Sequence, residues 1–160
     1  AVASPPKVEK AATTADADRA IILSTTERAR TVTHIATSGT FCTFAAGQDP
    51  ELAGTPFGSH VDYVLDAQGW PIFLLAEASL HTQNIRADPR ASLLCQMPRA
   101  DPTQPAAALS RVTLVGEVVD VTDDDELIQL KASFSLVHKY ADELTQSPKF
   151  KFHKLCPSKV

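Results

Sequence analysis

The rhythm of apolar and polar residues changes near residue 40. Before it, Ala29, Val32, Ile35 and Ala36 recur at helical spacing, while Arg30, Thr31 and His34 lie largely on the other side. Ser24 followed by Glu27 makes a capping box, in which the hydroxyl satisfies a helix-end N–H and the carboxylate reaches back to the cap. Gly39 stands where a left-handed C-cap is wanted, so the pattern predicts a helix from about Thr25 to Ser38. After Thr40 the chain turns to short β-rich runs broken by Gly, Pro and Asp, as in an antiparallel sheet or barrel of five or six strands.

Thr40 to Ala46 is the first of these runs, and Ser59 to Asp66 the second, with Val61, Tyr63 and Leu65 alternating against His60, Asp62 and Val64. Asp66-Ala67-Gln68-Gly69 closes a hairpin onto Pro71 to Ala76, a run apolar on both faces. Burial on both faces suits a barrel strand with a helix or a second subunit against its outer side, which suggests a dimer. Ser79 to Asp88 reads as a short helix ended by Asp88-Pro89, since Pro disfavours helical geometry in the residue before it. Ala91 to Met97 is a fourth strand, Pro98 to Ala107 a proline-rich loop, and Ala108 to Val121 a long fifth strand. Asp123 to Tyr140 is a helix opened by a run of Asp that complements its dipole. Phe150 to Leu155 alternates again, and an end inside or just after a sixth strand predicts a further C-terminal portion.

Composition narrows the classes. A chain of 160 residues with 44% hydrophobic content fits one globular domain, here residues 21–160. Residues Ala1 to Ala20 are rich in Ala, Thr, Pro and charge and carry no apolar period, which predicts a disordered leader. The start without Met fits a chain cut from a longer precursor, by removal of an upstream targeting segment or otherwise. A formal net charge of -4 gives no general attraction to phosphate backbones, so nucleic acid is not an expected partner. The longest apolar run, Trp70 to Ala76, is far short of the roughly 20 residues of a membrane-spanning helix. Cys42, Cys95 and Cys156 lie far apart without zinc spacing and read as buried apolar thiols suited to a reducing compartment.

Few residues stand out for chemistry. His60 shares a strand face with Asp62, a common surface pair, and no metal is expected. His81 opens the short helix and reads either as an anion contact or as a local cap. Arg111 begins the fifth strand, and Arg86 and Arg90 flank the Asp88-Pro89 turn. No nucleophile elbow, HExxH or phosphate loop is present, so the residues nominate no catalytic group.

The order of elements, with "ASLHTQNIRADPRASLLCQM" (Ala78 to Met97) and "SRVTLVGEVVDV" (Ser110 to Val121), resembles the pyridoxamine-phosphate-oxidase-like FMN-binding split barrels over about Ser24 to Val160, closest to their haem-handling branch. The resemblance implies a mostly β fold with flanking helices, a six-stranded split β-barrel that forms a homodimer. Flavin-using members grip the FMN phosphate with a Ser-Arg-Lys triplet opening the short helix and an Arg at the start of the second strand. The corresponding positions here are Ser79, Leu80 and His81, and Gly58, so every cationic position is changed. A phosphate dianion needs charge-assisted partners, and FMN is therefore not expected.

Haem remains an admissible cofactor, with Ser79, His81, Arg86, Arg90 and Arg111 as candidate haem or anion contacts by analogy with the haem-binding relatives. Among the plant plastid members of this branch, the chain resembles one that binds glutamyl-tRNA reductase. The resemblance accordingly implies a non-catalytic chloroplast regulator of tetrapyrrole synthesis with that reductase as partner. The alternatives are a haem-degrading oxygenase-like enzyme, which needs an axial ligand, and an FMN-dependent oxidoreductase, disfavoured by Gly58, Leu80 and His81.

Overall fold

The structure is a computed structural model that describes residues 23–47 and 50–160; the expected leader Ala1 to Ala20 lies outside the described residues. Six antiparallel strands close into a barrel in the order β1-β2-β3-β6-β5-β4, with β1 at Ser38–Phe44, β2 at Pro56–Leu65, β3 at Pro71–Ala76, β4 at Arg90–Gln96, β5 at Arg111–Asp120 and β6 at Phe150–Lys159. The helices are α1 (Thr25–Ile35), α2 (Leu80–Ala87), α3 (Asp124–Val137) and α4 (Asp142–Gln146). No helix among the described residues is long and apolar enough to cross a membrane.

Local chemistry explains most of the boundaries. Ser24 and Glu27 form the capping box, with the Ser24 N–H donating to Glu27 Oε2 at 2.8 Å and the Glu27 N–H to Ser24 Oγ at 3.2 Å. At the hairpin, Asp66 Oδ1 accepts the N–H groups of Gln68 at 2.9 Å and Trp70 at 2.8 Å, and Gly69 takes the left-handed φ of 82° that such a turn requires. Asp123 caps α3 by accepting the Glu126 N–H at 2.8 Å.

Gly39 is not the C-cap that its position suggested. The helix ends at Ile35 with an extended Ala36, and Gly39 lies inside β1, where a Cβ would sit 2.6 Å from the Leu94 carbonyl oxygen. Its lack of a side chain lets β1 approach β4. The long helix expected to Tyr140 stops at Val137 and turns through Lys139–Ala141 into α4.

Odd-numbered residues of β1 to β4 and β6 face the interior. Phe41, Tyr63, Phe73, Leu93 and Leu155 are buried there with Val118 of β5, and each large side chain so buried contributes roughly 1.5–3 kcal/mol. Helix α1 closes one end of the barrel with Val32 and Ala36, and α2 closes the other with Ile85. A second cluster lies outside, where Leu130 and Phe134 of α3 pack with Ala141 on Val64, Ile72 and Phe152. The two-sided burial of β3 is thus satisfied by α3 of the same chain. Lys154 ties this layer together, its Nζ 2.6 Å from Glu126 Oε1 and 3.1 Å from Asp66 Oδ2.

Candidate functional site

The candidates separate into two groups at different places on the barrel. The first is at the α2 end. Strands β2 and β3 pair only over Tyr63–Leu65 and Pro71–Phe73 and then part, and α2 closes the barrel on that side. Asn84 anchors it, accepting the Ala46 N–H at 2.7 Å and donating to Thr43 Oγ1 at 2.9 Å.

Ser79 is the residue before the helix, but its hydroxyl donates to the Ala76 carbonyl at 2.7 Å and caps nothing. Leu80 is exposed. His81 turns inward, with Nδ1 3.1 Å from Ser59 Oγ and its ring edge-on to Phe41 at 6.3 Å between centroids. Burial lowers its pKa, and neighbouring His153 adds to the effect.

His153, which the sequence did not nominate, is fully buried opposite Phe73. Its Nδ1 lies 2.9 Å from Asp120 Oδ1, yet neither ring nitrogen is in hydrogen-bond geometry with a partner. Burial dominates and lowers its pKa against the opposing pull of Asp120 and Glu77. Arg86 is engaged by Glu77, whose Oε2 also lies 3.3 Å from Lys151 Nζ, and these cations hold the Glu77 carboxyl below its usual range, Arg86 foremost. An incoming phosphate would have to compete with a carboxylate for these charges.

The second group lies on an outer face that no helix covers. Register across β2, β1, β4 and β5 makes a grid with the row His60, Thr40, Leu94 and Thr113 beside the row Gly58, Cys42, Ser92 and Val115. Leu94 and Val115 are 36% and 44% exposed. Arg90 lies at one end of this face and Arg111 at the other, six residues apart in register, or about 20 Å.

Arg90 makes a double hydrogen bond to Asp88, which drops the Asp88 pKa to about 2, and its guanidinium lies 5.1 Å from the Phe44 ring centroid. Arg111 makes no ion pair among the described residues. A Cβ on Gly58 would meet only Thr40 Cγ2, at 3.5 Å, so a larger side chain fits there. His60 Nε2 is 3.6 Å from Asp62 Oδ1. Cys95 is buried as expected, but Cys42 and Cys156 are only partly so, because both sit on outer positions of their strands. No group of three or more His, Cys, Asp or Glu among the described residues could hold a metal ion.

A third feature escaped the sequence. At the α1 end, a groove of about 770 Å³ runs between α1, the β2–β3 hairpin and the end of β6. Leu65, Leu114 and Pro157 contribute to its lining, together with Trp70 from the hairpin and Arg30 and His34 from α1. Arg30 and His34 are one helical turn apart, a spacing visible in the sequence; their opposition to Trp70 comes only from the fold.

The family model described as CREG, beta-barrel matches residues 22–160. The chain is 34% identical over 109 residues to the non-canonical heme oxygenase HOZ of Arabidopsis thaliana, a chloroplastic protein; the match covers 68% of this chain and 31% of that one. Among solved structures it is similar to a heme binding protein from Mycobacterium smegmatis, with 28% identity and a TM-score of 0.74 over 86% of this chain and 53% of that one. HutZ, the heme storage protein of Vibrio cholerae, shares the fold with a TM-score of 0.66 at 20% identity, over 82% of this chain and 88% of that one. The chain therefore spans about a third of the plant relative and about half of the mycobacterial protein.

Proposed function

The chain belongs to the CREG β-barrel family, and from that premise we propose that it is a haem-binding barrel that regulates tetrapyrrole synthesis. In this reading it binds glutamyl-tRNA reductase in the chloroplast and does not itself turn haem over. The observation that carries the haem half is the state of the α2 end: Arg86 and Lys151 share the Glu77 carboxylate, and Leu80 brings no charge, while Gly58 adds none from the outer face, so a flavin phosphate has little grip there. Haem needs no such grip, and the two relatives named for haem chemistry or haem binding, at 34% and 28% identity, support it over flavin.

The uncovered face between Arg90 and Arg111 supports the partner half. Exposed Leu94 and Val115 beside Thr40 and Cys42 offer an apolar centre with a charged rim, the anatomy of a protein interface. A second copy of the chain and the reductase are the occupants we assign to it. The name of the plant relative favours a second reading, a haem-degrading enzyme.

One experiment separates these readings. Purified protein is titrated with ferric haem, followed by absorption, then given a reductant and oxygen, and in parallel passed over immobilised glutamyl-tRNA reductase. A saturable Soret change, a Soret band that persists under reductant and retention by the reductase are expected. Loss of the Soret band with product formation would establish the oxygenase reading instead; flavin bands in the purified protein, or no Soret change, would overturn the haem proposal.

A further inference from the structure

We infer that a second copy of this chain docks on the outer face of α3, the two helices packing antiparallel about Ala132. This contact is independent of the haem reading above.

Exposure singles out the face. Helix α3 turns Leu130 and Phe134 onto the barrel, 4% and 2% exposed. Ala132 lies two residues from each, about 200° around the helix in either direction, and so points away from the buried side. With Ile128 and Leu136 one turn to either side it makes an apolar stripe, on which Ile128 is 68% and Leu136 79% exposed. No large apolar side chain among the described residues is more exposed than Leu136. A run of this kind on a soluble surface marks a place where another surface lands.

The pattern then selects the occupant. Outward from Ala132 the stripe is symmetric in its apolar residues and opposite in its charges. Ile128 and Leu136 stand at equal distances on either side, and further out Asp125 and Lys139 do the same, one acidic and one basic. A two-fold contact sets one residue against a second, and the second against the first. Antiparallel pairing about Ala132 therefore puts Ile128 on Leu136 of the partner subunit and Asp125 on Lys139 of the partner subunit, each pair occurring twice. Asp125 and Lys139 are exposed and make no ion pair among the described residues, so both charges remain to be matched. Lys139 lies in the single turn that follows the helix, and its long side chain supplies the reach. The small Ala132 at the crossing lets the two helix axes approach closely.

The strand face between Arg90 and Arg111 is on another wall of the barrel. Helix α3 packs on Val64, Ile72 and Phe152 of β2, β3 and β6, whereas β1 and β4 form the middle of the uncovered face. Both contacts can therefore form at once, and a chain with two such contacts assembles beyond the dimer. One helix against its copy buries less than the roughly 1,200 Å² at which standard interfaces begin, so the α3 step is weak.

The test is sedimentation velocity of the 160-residue chain from low to high micromolar concentration. The parent should show a step that doubles its mass. Leu136→Asp should abolish that step and leave the circular dichroism and the thermal unfolding of the parent unchanged, since Leu136 is exposed. Asp125→Lys and Lys139→Asp should each weaken the step about tenfold, because both ion pairs become repulsive. An equimolar mixture of these two variants should recover it, since each charge then meets its opposite, and a variant that had merely lost its fold would not be rescued by mixing. A parent without the step, a step that survives Leu136→Asp, or a mixture that associates no better than its components would overturn the proposal.

Discussion

The two ends of the barrel are closed by helices, and they are closed in opposite ways. At the α2 end the helix carries His81 and Asn84 inward to Ser59, Thr43 and the Ala46 backbone, and polar side chains fill the space down to a fully buried His153. At the α1 end the core is sealed by Val32 and Ala36, and the polar residues Arg30 and His34 stay outside on the rim of an open groove. The same ingredient, an imidazole near an aromatic ring, is hydrogen-bonded within the fold at one end and exposed at the other. Residue type alone does not mark a site; what decides is whether a ligand can reach the group.

The contrast predicts different responses to substitution. The largest effect should come from Asn84→Ala, which removes two hydrogen bonds and leaves the Ala46 N–H and the Thr43 hydroxyl without a partner. A loss of about 2–3 kcal/mol is expected in urea unfolding, since a buried unsatisfied group costs about 1–3 kcal/mol. A loss below about 0.5 kcal/mol would mean that the α2 end is no better anchored than the groove.

Next is His153→Leu, a change of similar volume that replaces a ring without hydrogen-bond partners. It should stabilise the fold by about 1–2 kcal/mol at pH 7. The pH dependence sharpens this. The pKa of His153 is lowered from 6.5 in the folded chain, so below about pH 6.5 the unfolded chain takes up a proton that the folded one refuses. Stability is full above that pH and falls as pH drops toward the folded value, so the advantage of His153→Leu should grow between pH 7 and pH 5.5. Parallel unfolding curves at the two pH values check it. His81, lowered in the same direction, should keep part of the acid sensitivity in the variant.

The smallest effect belongs to the other end. Arg30 is exposed and makes no hydrogen bond or ion pair among the described residues, so Arg30→Ala should change stability by less than about 0.5 kcal/mol in thermal unfolding. A larger loss would make Arg30 part of the scaffold and end the distinction between the two ends.

Much of the architecture was legible in the sequence because local rules govern it. The capping box at Ser24 and Glu27, the Asp66–Gly69 hairpin and the two-faced strand Pro71–Ala76 all lie where pattern and turn chemistry put them. Gly39 misled because a glycine needed for close strand approach and one needed for a left-handed cap look the same in one dimension. The six-stranded barrel and the changed cationic positions followed from the family resemblance, but the site did not. Ser59 meets His81, and Arg30 shares a groove with Trp70, only because barrel closure brings distant segments together. His153 reads as one polar residue in a lysine-flanked run, and nothing in that run announces that it is buried.

The short pairing between β2 and β3 has a mechanical meaning. Three residue pairs join these strands, against seven between β1 and β2 and seven between β4 and β5. A closed cylinder under thermal load opens where fewest rungs hold it, because local openings take the route of lowest free energy. Here that is the β2–β3 seam, and α2 is its latch, with His81 and Asn84 as the catches on the β1–β2 side. Whatever loosens α2 unzips the barrel from one seam, while the α1 end, where the groove lies, stays closed longest.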